Sequence, residues 1–335
     1  MRVLAVLHLA PPHHNAGAEL MVWPMLRALV GRGHDVSVQL TKHRAAYTGP
    51  YEYQGVRVVP VGAPDVLWRQ CTGPQPPDLL ITHLDPSVQA VCVAQLAGIP
   101  LVQVMHNTHE ASKANLARGA ALAVFNTRWM AADYAAAGLT PPSMVLHPPI
   151  DPVAYRTTPG DHITLINLFE NKGPGVFYAL AARFPKLKFL GVIGGYREQQ
   201  VRTDLPNVEI IDHLPAHDMP RRVYARTRVL LAPSSYESYG RVVVEAACSG
   251  IPSIAHPTPG LLEALGPDGG EFCDRDDIDA WAAVVRRLST PTGWSEASQR
   301  ARAVADRLDT VGDLQRWVQA AEGVAGCVPT PVSVG

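Results

Sequence analysis

Short runs of β-forming apolar residues alternate with helix-patterned stretches along almost the whole chain, and this alternation narrows the fold more than any other feature. It implies parallel strands joined by helical crossovers, with each strand covered on both faces. In the first half the runs are Val3–His8, Asp35–Leu40, Val56–Val61, Leu79–Thr82, Leu101–Met105, Leu122–Phe125 and Met144–Leu146. Helical stretches such as Ala18–Val30, Ser87–Leu96 and Arg128–Ala137 lie between them, and Gly31 and Gly33 stand where a helix end needs residues tolerant of positive φ. The pattern restarts with Ile163–Leu168 and continues through Leu187–Ile193, Val208–Ile211, Val229–Leu231 and Pro252–Ala255. Between the halves, HPPIDPVAYRTTPGD (His147–Asp161) is aperiodic and proline-rich and reads as a linker. The stretch from Trp294 to about Ala325 is mostly helical, with a frayed VPTPVSVG tail behind it.

A chain of 335 residues is too long for one small core and fits two domains of roughly 150 residues each. The expected class is α/β, two doubly wound domains at 1–150 and 151–308, then a helix and tail at 309–335. Two such sheets are expected to face across a cleft at their carboxyl ends, where open α/β sheets bind ligands.

Composition removes several functions. Hydrophobic residues make up 47% and charged residues 18%, which excludes a disordered chain. With 29 basic and 30 acidic side chains and a net charge of -1, no basic stripe marks a long nucleic-acid partner. The five cysteines (Cys71, Cys92, Cys248, Cys273, Cys327) are odd in number and contain no CxxC, so they read as buried free thiols. MRVLAVLHLA has a short apolar run that continues into a turn and helix, and reads as a first strand in place of an export signal. No run approaches the ~20 apolar residues of a membrane span, and a cytoplasmic protein is expected.

The most informative segment is LLAPSSYESYGRVVVEAACSGIPSIAHPTPG, Leu230–Gly260. A buried strand ends at Pro233, a polar turn follows, and an apolar helix runs to Gly250 as its stop. Glu245 sits inside that helix among valines and alanines. An unpaired carboxylate there would cost several kcal/mol, so two readings fit: a structural partner for an arginine, or an acceptor for a vicinal diol such as a ribose. Glu237 lies in the turn, about 12 Å from Glu245 if the eight intervening steps were helical. That spacing brackets a long ligand and is too wide for an acid/base couple. The amides of Ser238, Tyr239 and Gly240 open the helix, where free N–H groups favour a phosphate.

The E-x7-E pair (Glu237, Glu245) after a strand, with SYG between, Gly250–Pro252 behind and PGLLE (Pro259–Glu263) closing the block, resembles the retaining GT-B glycosyltransferases of family 4, the glycosyl transferases group 1. The resemblance extends over nearly the whole chain, from Arg2 to about Leu308. It implies two Rossmann-like domains facing across a cleft, the first on the acceptor side and the second holding a nucleotide-sugar donor, with a last helix around Asp313–Ala321 crossing back to the first. It implies that Glu245 holds the nucleotide ribose, that Glu237 faces the donor sugar, and that the SYG amides meet the diphosphate.

Other segments fit the same family. HHNAGAELMVWPMLRALVGRGHDVSV (His13–Val38) resembles its glycine loop and first helix, with Gly17 open to phosphate or acceptor and Ala16 where the first glycine stands; Glu19 reads as a first-turn dipole partner. His106, at the end of Leu101–Met105, occupies the position from which family members send a histidine to the donor sugar; a structural histidine is the other reading. Lys172 stands beside the helix start at Pro174, an unfavourable place for a cation unless an anion is shared there. It matches the lysine of the family's R-x4-K diphosphate clamp. The clamp's arginine falls at Asn167, so either Asn167 bonds the donor or Arg241 supplies the charge. Ile210–Ser234 resembles the segment that packs on the base, with His213 and Leu214 as candidates.

No metal is expected: His106 and His109 lack a third ligand at suitable spacing, and Asp276 of DRDD (Asp274–Asp277) reads as an N-cap or first-turn acid. The implied reaction moves a sugar from a nucleotide diphosphate sugar, UDP- or GDP-linked, to an acceptor hydroxyl with retention and without a cofactor. Glu237, His106 and Lys172 are its catalytic candidates. A sugar-nucleotide isomerase of the 2-epimerase kind, on the same two-lobed scaffold, is the rival. The acceptor, contacted by loops near His8–Asn15, His43–Tyr53 and His83–Ser87, is open: small molecule, glycan, protein or modified nucleic-acid base.

Overall fold

The computed structural model of the chain describes residues 1–14, 16–42, 49–60, 65–195 and 197–326. Asn15, the 43–48 part of the second acceptor loop, and Cys327 with the tail lie outside the described residues.

The chain runs β1 (Arg2–Leu7), α1 (Gly17–Gly31), β2 (Asp35–Leu40), β3 (Tyr51–Tyr53), β4 (Val56–Val59), α2 (Val66–Thr72), β5 (Leu79–His83), α3 (Ser87–Ala97) and β6 (Leu101–Met105). It continues through α4 (Glu110–Ala117), β7 (Leu122–Phe125), α5 (Arg128–Ala136), β8 (Ser143–Val145), β9 (His162–Ile166), α6 (Pro174–Arg183), β10 (Phe189–Val192) and β11 (Val208–Ile211). Then come α7 (Met219–Arg222), β12 (Thr227–Ala232), α8 (Arg241–Ala247), β13 (Ser253–Ala255), α9 (Pro259–Leu265), β14 (Glu271–Phe272), α10 (Ile278–Leu288), α11 (Pro291–Ala305) and α12 (Thr310–Val324). Two compact units result, Met1–Pro149 with Asp309–Gly335, and Ile150–Leu308.

In the first unit the eight strands order as β3-β4-β2-β1-β5-β6-β7-β8, parallel except for the β3–β4 pair. Alternate residues of β1 enter different cores: Val3, Ala5 and Leu7 pack with Met21, Met25, Leu26 and Leu29 of α1, while Leu4 and Val6 pack with Leu67, Val91 and Ala94. Burial on both faces is why β1 reads as an unbroken apolar run. The last helix, α12, belongs to this unit because Trp317 is fully buried in the β1–α1 core and its Nε1 donates to the Met25 carbonyl at 3.0 Å. Arg32 Nε and His34 Nε2 add bonds to Glu322 Oε1 at 3.2 and 2.9 Å.

The second unit is a six-stranded parallel sheet, β11-β10-β9-β12-β13-β14. Its strand order reverses at β9: the chain winds outward through β10 and β11 on one side, then returns to place β12 on the other. A crevice for ligand forms above such a reversal, at the carboxyl ends.

The proline-rich segment is not a free linker. Ile150 and Tyr155 are buried in the second unit's core, Ser249 Oγ donates to the Tyr155 carbonyl at 2.8 Å, and the Thr157 amide donates to Ser249 Oγ at 2.9 Å. The α10 cap is Asp277, which accepts from the Ala280 amide at 2.9 Å, and not Asp276. Of the glycines near the end of α1, Gly33 takes the positive φ, at 92°, whereas Gly31 closes the helix itself. Among the described residues no helix is long and apolar enough to cross a membrane.

Candidate functional site

The β9/β12 reversal gathers most of the donor-side candidates. β9 ends at Ile166, and Asn167 turns the chain with φ 74°, a conformation that asparagine tolerates better than most non-glycine residues. Its side chain is buried, accepts from the Phe169 amide at 3.1 Å, and fills the space a Cβ on Gly194 would need. The turn then delivers Lys172 to the start of α6. From β12 the turn 233–240 comes alongside: the Ser235 amide donates to the Asn171 carbonyl at 2.8 Å, and a Cβ on Gly173 would lie 2.6 Å from the Pro233 carbonyl oxygen.

This docking brings Lys172 Nζ to 2.5 Å from Glu237 Oε1, which also accepts from Ser234 Oγ at 3.0 Å. The anion that the lysine requires beside a helix start is therefore supplied by Glu237. Gly240 takes φ 92° ahead of α8, and Gly260 at the start of α9 packs so closely that a Cβ there would lie 2.2 Å from the Glu237 carbonyl oxygen. The turn holding Glu237, Ser238 and Tyr239 is thus clamped by backbone on both sides.

Glu245 follows the structural reading. It is 4% exposed, its Oε1 accepts from Arg241 Nε at 2.9 Å, and its Oε2 accepts from the Tyr224 hydroxyl at 2.6 Å. Burial, then the carboxylate it serves, hold the Tyr224 hydroxyl well above its ordinary range. Tyr155 belongs to the same cluster: burial first, then the Glu245 carboxylate, raise its hydroxyl above the ordinary tyrosine range. Arg241, one of the two alternatives for the clamp's missing charge, is paired with Glu245, while Lys172 is paired with Glu237. His213 is exposed with its imidazole against Gly195, where a Cβ would lie 3.0 Å away, whereas Leu214 is buried in the core and offers only its backbone.

In the first unit, Gly17 starts α1 with open space around its α-carbon. Glu19, one turn on, is more than a dipole partner. It is 1% exposed and stands 3.1 Å from His8 Nε2 and 3.6 Å from His14 Nε2. His8 Nδ1 lies 3.2 Å from His83 Nε2, and His83 Nδ1 lies 3.0 Å from His106 Nε2. Strand ends β1, β5 and β6 thus place three imidazoles in line behind one carboxylate. Burial first, then His106 and His8, drive His83 well below the usual histidine range, and burial with His8 pushes His106 down to about 3. Sequence reasoning singled out His106 alone; histidines standing immediately at or after three separate strand ends were the signal available for the others. Among the described residues the one trio whose ligand atoms come within 4.8 Å of each other is His8, His14 and Glu19. His109 and the DRDD acids are not part of it.

Residues 157–304 match the family model described as glycosyl transferases group 1, and residues 16–149 match the glycosyl transferase 4-like domain. The second unit thus carries the group 1 model and the first the 4-like model, so the chain is built from two glycosyltransferase domains. A D-inositol 3-phosphate glycosyltransferase of Thermobifida fusca is 30% identical over 276 residues that cover 65% of this chain and 63% of that protein. An O-antigen chain mannosyltransferase B of Escherichia coli is 28% identical over 128 residues, 36% of this chain and 33% of that protein. The chain therefore spans less than two thirds of either curated relative. The crystal structure of Anabaena HepE in complex with UDP-glucose superimposes with a TM-score of 0.78 at 18% identity, covering 96% of this chain and 100% of that one. The fold of the chain is GT-B. Its group 1 model contains Lys172, Glu237, Arg241 and Glu245, and the 4-like model contains Gly17, Glu19, His83 and His106.

Proposed function

We propose that the chain is a glycosyltransferase that moves a sugar from a nucleotide diphosphate sugar, UDP- or GDP-linked, to an acceptor hydroxyl, with retention of anomeric configuration and without a metal, in the cytoplasm. The observation that carries this reading is the Lys172–Glu237 pair at the β9/β12 reversal, held by close backbone packing inside the group 1 segment. A cation and an anion preset at the crevice suit a ligand that carries both charge and hydroxyls.

Donor binding exchanges partners. The diphosphate takes the Lys172 ammonium and the amides of Ser238, Tyr239 and Gly240, which then stabilise charge growing on the leaving group. The released Glu237 carboxylate accepts from sugar hydroxyls, and His106 is assigned to the same sugar. Glu245, steadied by Arg241 and Tyr224, takes the ribose diol; Asn167 bonds the donor in place of the clamp arginine; the backbone of His213 and Leu214 borders the base. Gly17 leaves room for phosphate or acceptor. The acceptor attacks from the face the diphosphate leaves, and a diphosphate oxygen takes its proton.

The curated relatives above carry transferase names, which favours transfer over isomerisation. The experiment is to incubate the protein with UDP- and GDP-sugars, with and without acceptor extracts, and follow products by mass spectrometry and anomeric NMR signals. Transfer with the donor's configuration supports the reading. Conversion of donor without acceptor would replace it with the isomerase, and an inverted product would remove retention.

A further inference from the structure

Two imidazoles of the first unit converge on one buried carboxylate. His8 follows β1 directly, His14 lies between β1 and α1, and Glu19 stands in the first turn of α1, where it is 1% exposed. One ligand atom of each residue comes within 4.8 Å of the other two. His8 Nε2 is 3.1 Å from Oε1 of Glu19 and His14 Nε2 is 3.6 Å from Oε2, yet neither approach has the geometry of a hydrogen bond. The two rings are inclined at 70° with centroids 6.0 Å apart, so they converge and do not stack.

Nitrogen and oxygen atoms this close, with no proton directed from one to the other, are spaced for a shared cation. Zinc binds imidazole nitrogen and carboxylate oxygen at about 2.0–2.2 Å, and a tetrahedral arrangement then sets neighbouring ligand atoms roughly 3.3–3.6 Å apart. The two measured separations lie close to that edge length. His8 is also held from behind, its Nδ1 standing 3.2 Å from His83 Nε2, the kind of outer contact that orients a metal-binding imidazole. A dication would further offset the burial of the Glu19 charge.

We propose that His8, His14 and Glu19 form a zinc site in the first unit, with three protein ligands and a fourth position for water. The ion ties the end of β1 and His14 to the first turn of α1 and takes no step in the transfer proposed above. The metal-free expectation then holds for the reaction and not for this corner of the fold.

The test uses the full chain, stripped of metal with a chelator and dialysed. Titration with Zn²⁺ against a chromophoric competing chelator is expected to show one equivalent bound. His14→Ala and Glu19→Gln should each weaken zinc by more than the roughly 10- to 100-fold that loss of an outer contact costs, whereas His13→Ala, at the exposed neighbour, leaves the affinity unchanged. A wild-type chain that takes no zinc from the chelator would overturn the proposal. So would an equivalent that survives both ligand substitutions. If Glu19→Gln does not fold, His14→Ala decides alone. Zinc bound as expected by a chain that transfers no sugar would keep the site and remove the donor reading.

Discussion

The ammonium of Lys172 lies 2.5 Å from Oε1 of Glu237, although 65 positions separate them in the chain. Each residue follows a strand at the point where the second sheet reverses its order, and each side chain is largely buried there, 20% and 14% exposed. A partly buried ion pair at a ligand crevice is a preformed place for exchange: the partner of either charge can be replaced by a ligand group without leaving the other uncompensated.

Replacing Lys172 by methionine keeps the stem and removes the charge. Loss of one charge-assisted bond to a diphosphate costs about 1.5–3 kcal/mol, roughly a 10- to 100-fold rise in Kd for the nucleoside diphosphate. Isothermal titration of UDP and GDP into wild type and Lys172→Met measures it. Thermal stability should fall as well, by an amount between the roughly 1 kcal/mol of an exposed pair and the about 3–5 kcal/mol of a fully buried one, because Glu237 loses its cation in a largely buried place.

The Arg241–Glu245 pair behaves differently because both side chains are buried. Glu245→Ala strands a buried guanidinium and should cost about 3–5 kcal/mol, with nucleotide affinity falling as well. The double substitution Arg241→Met, Glu245→Leu should recover most of the stability but not the affinity. Urea unfolding of the three variants, paired with nucleotide titration, separates the structural from the binding role.

How much of this was legible in the sequence depended on range. The strands were visible because both faces of β1 or β12 are buried, and the Glu237–Glu245 block because its strand, turn and helix are contiguous. The i, i+4 spacing of Arg241 and Glu245 was also readable, although the arginine partner of Glu245 was not named from it. Glu19 was not: an acid in a first helical turn looks like a dipole partner until the end of β1 and the loop behind it bring His8 and His14 to it. The packing of Tyr155 under Ser249 was equally hidden, since proline-rich, aperiodic sequence resembles a linker whether or not it docks. Short β3 and helix α2 carry too few residues for a period to show.

Acid should destabilise the first unit. Burial, then His8, pushes His106 from its ordinary 6.5 down to about 3, and His83 is displaced in the same direction. Below pH 6.5 the unfolded chain binds the extra protons, so stability is full above that pH and falls as pH drops toward the folded value. Each histidine contributes a slope of at most about 1.4 kcal/mol per pH unit. Urea midpoints measured from pH 7.5 to 5 should decline less steeply in His106→Gln than in wild type; equal slopes would contradict the buried neutral histidine.

Gly260 tests the clamped turn. An added Cβ would lie 2.2 Å from the Glu237 carbonyl oxygen, so Gly260→Ala must push residues 237 and 238 aside, at about 1–3 kcal/mol, and should weaken nucleoside diphosphate binding. Gly175→Ala, in α6 with nothing within 4 Å of its added carbon, is the control and should leave affinity unchanged.

The central claim is that a nucleoside diphosphate sits at the 237–240 turn beside Lys172. Backbone amide chemical-shift mapping of the 15N-labelled protein during titration with UDP or GDP tests it most directly. The account predicts that the largest shifts fall on Lys172, Ser238, Tyr239 and Gly240. Saturable binding that leaves those four amides unmoved while residues elsewhere respond would contradict it.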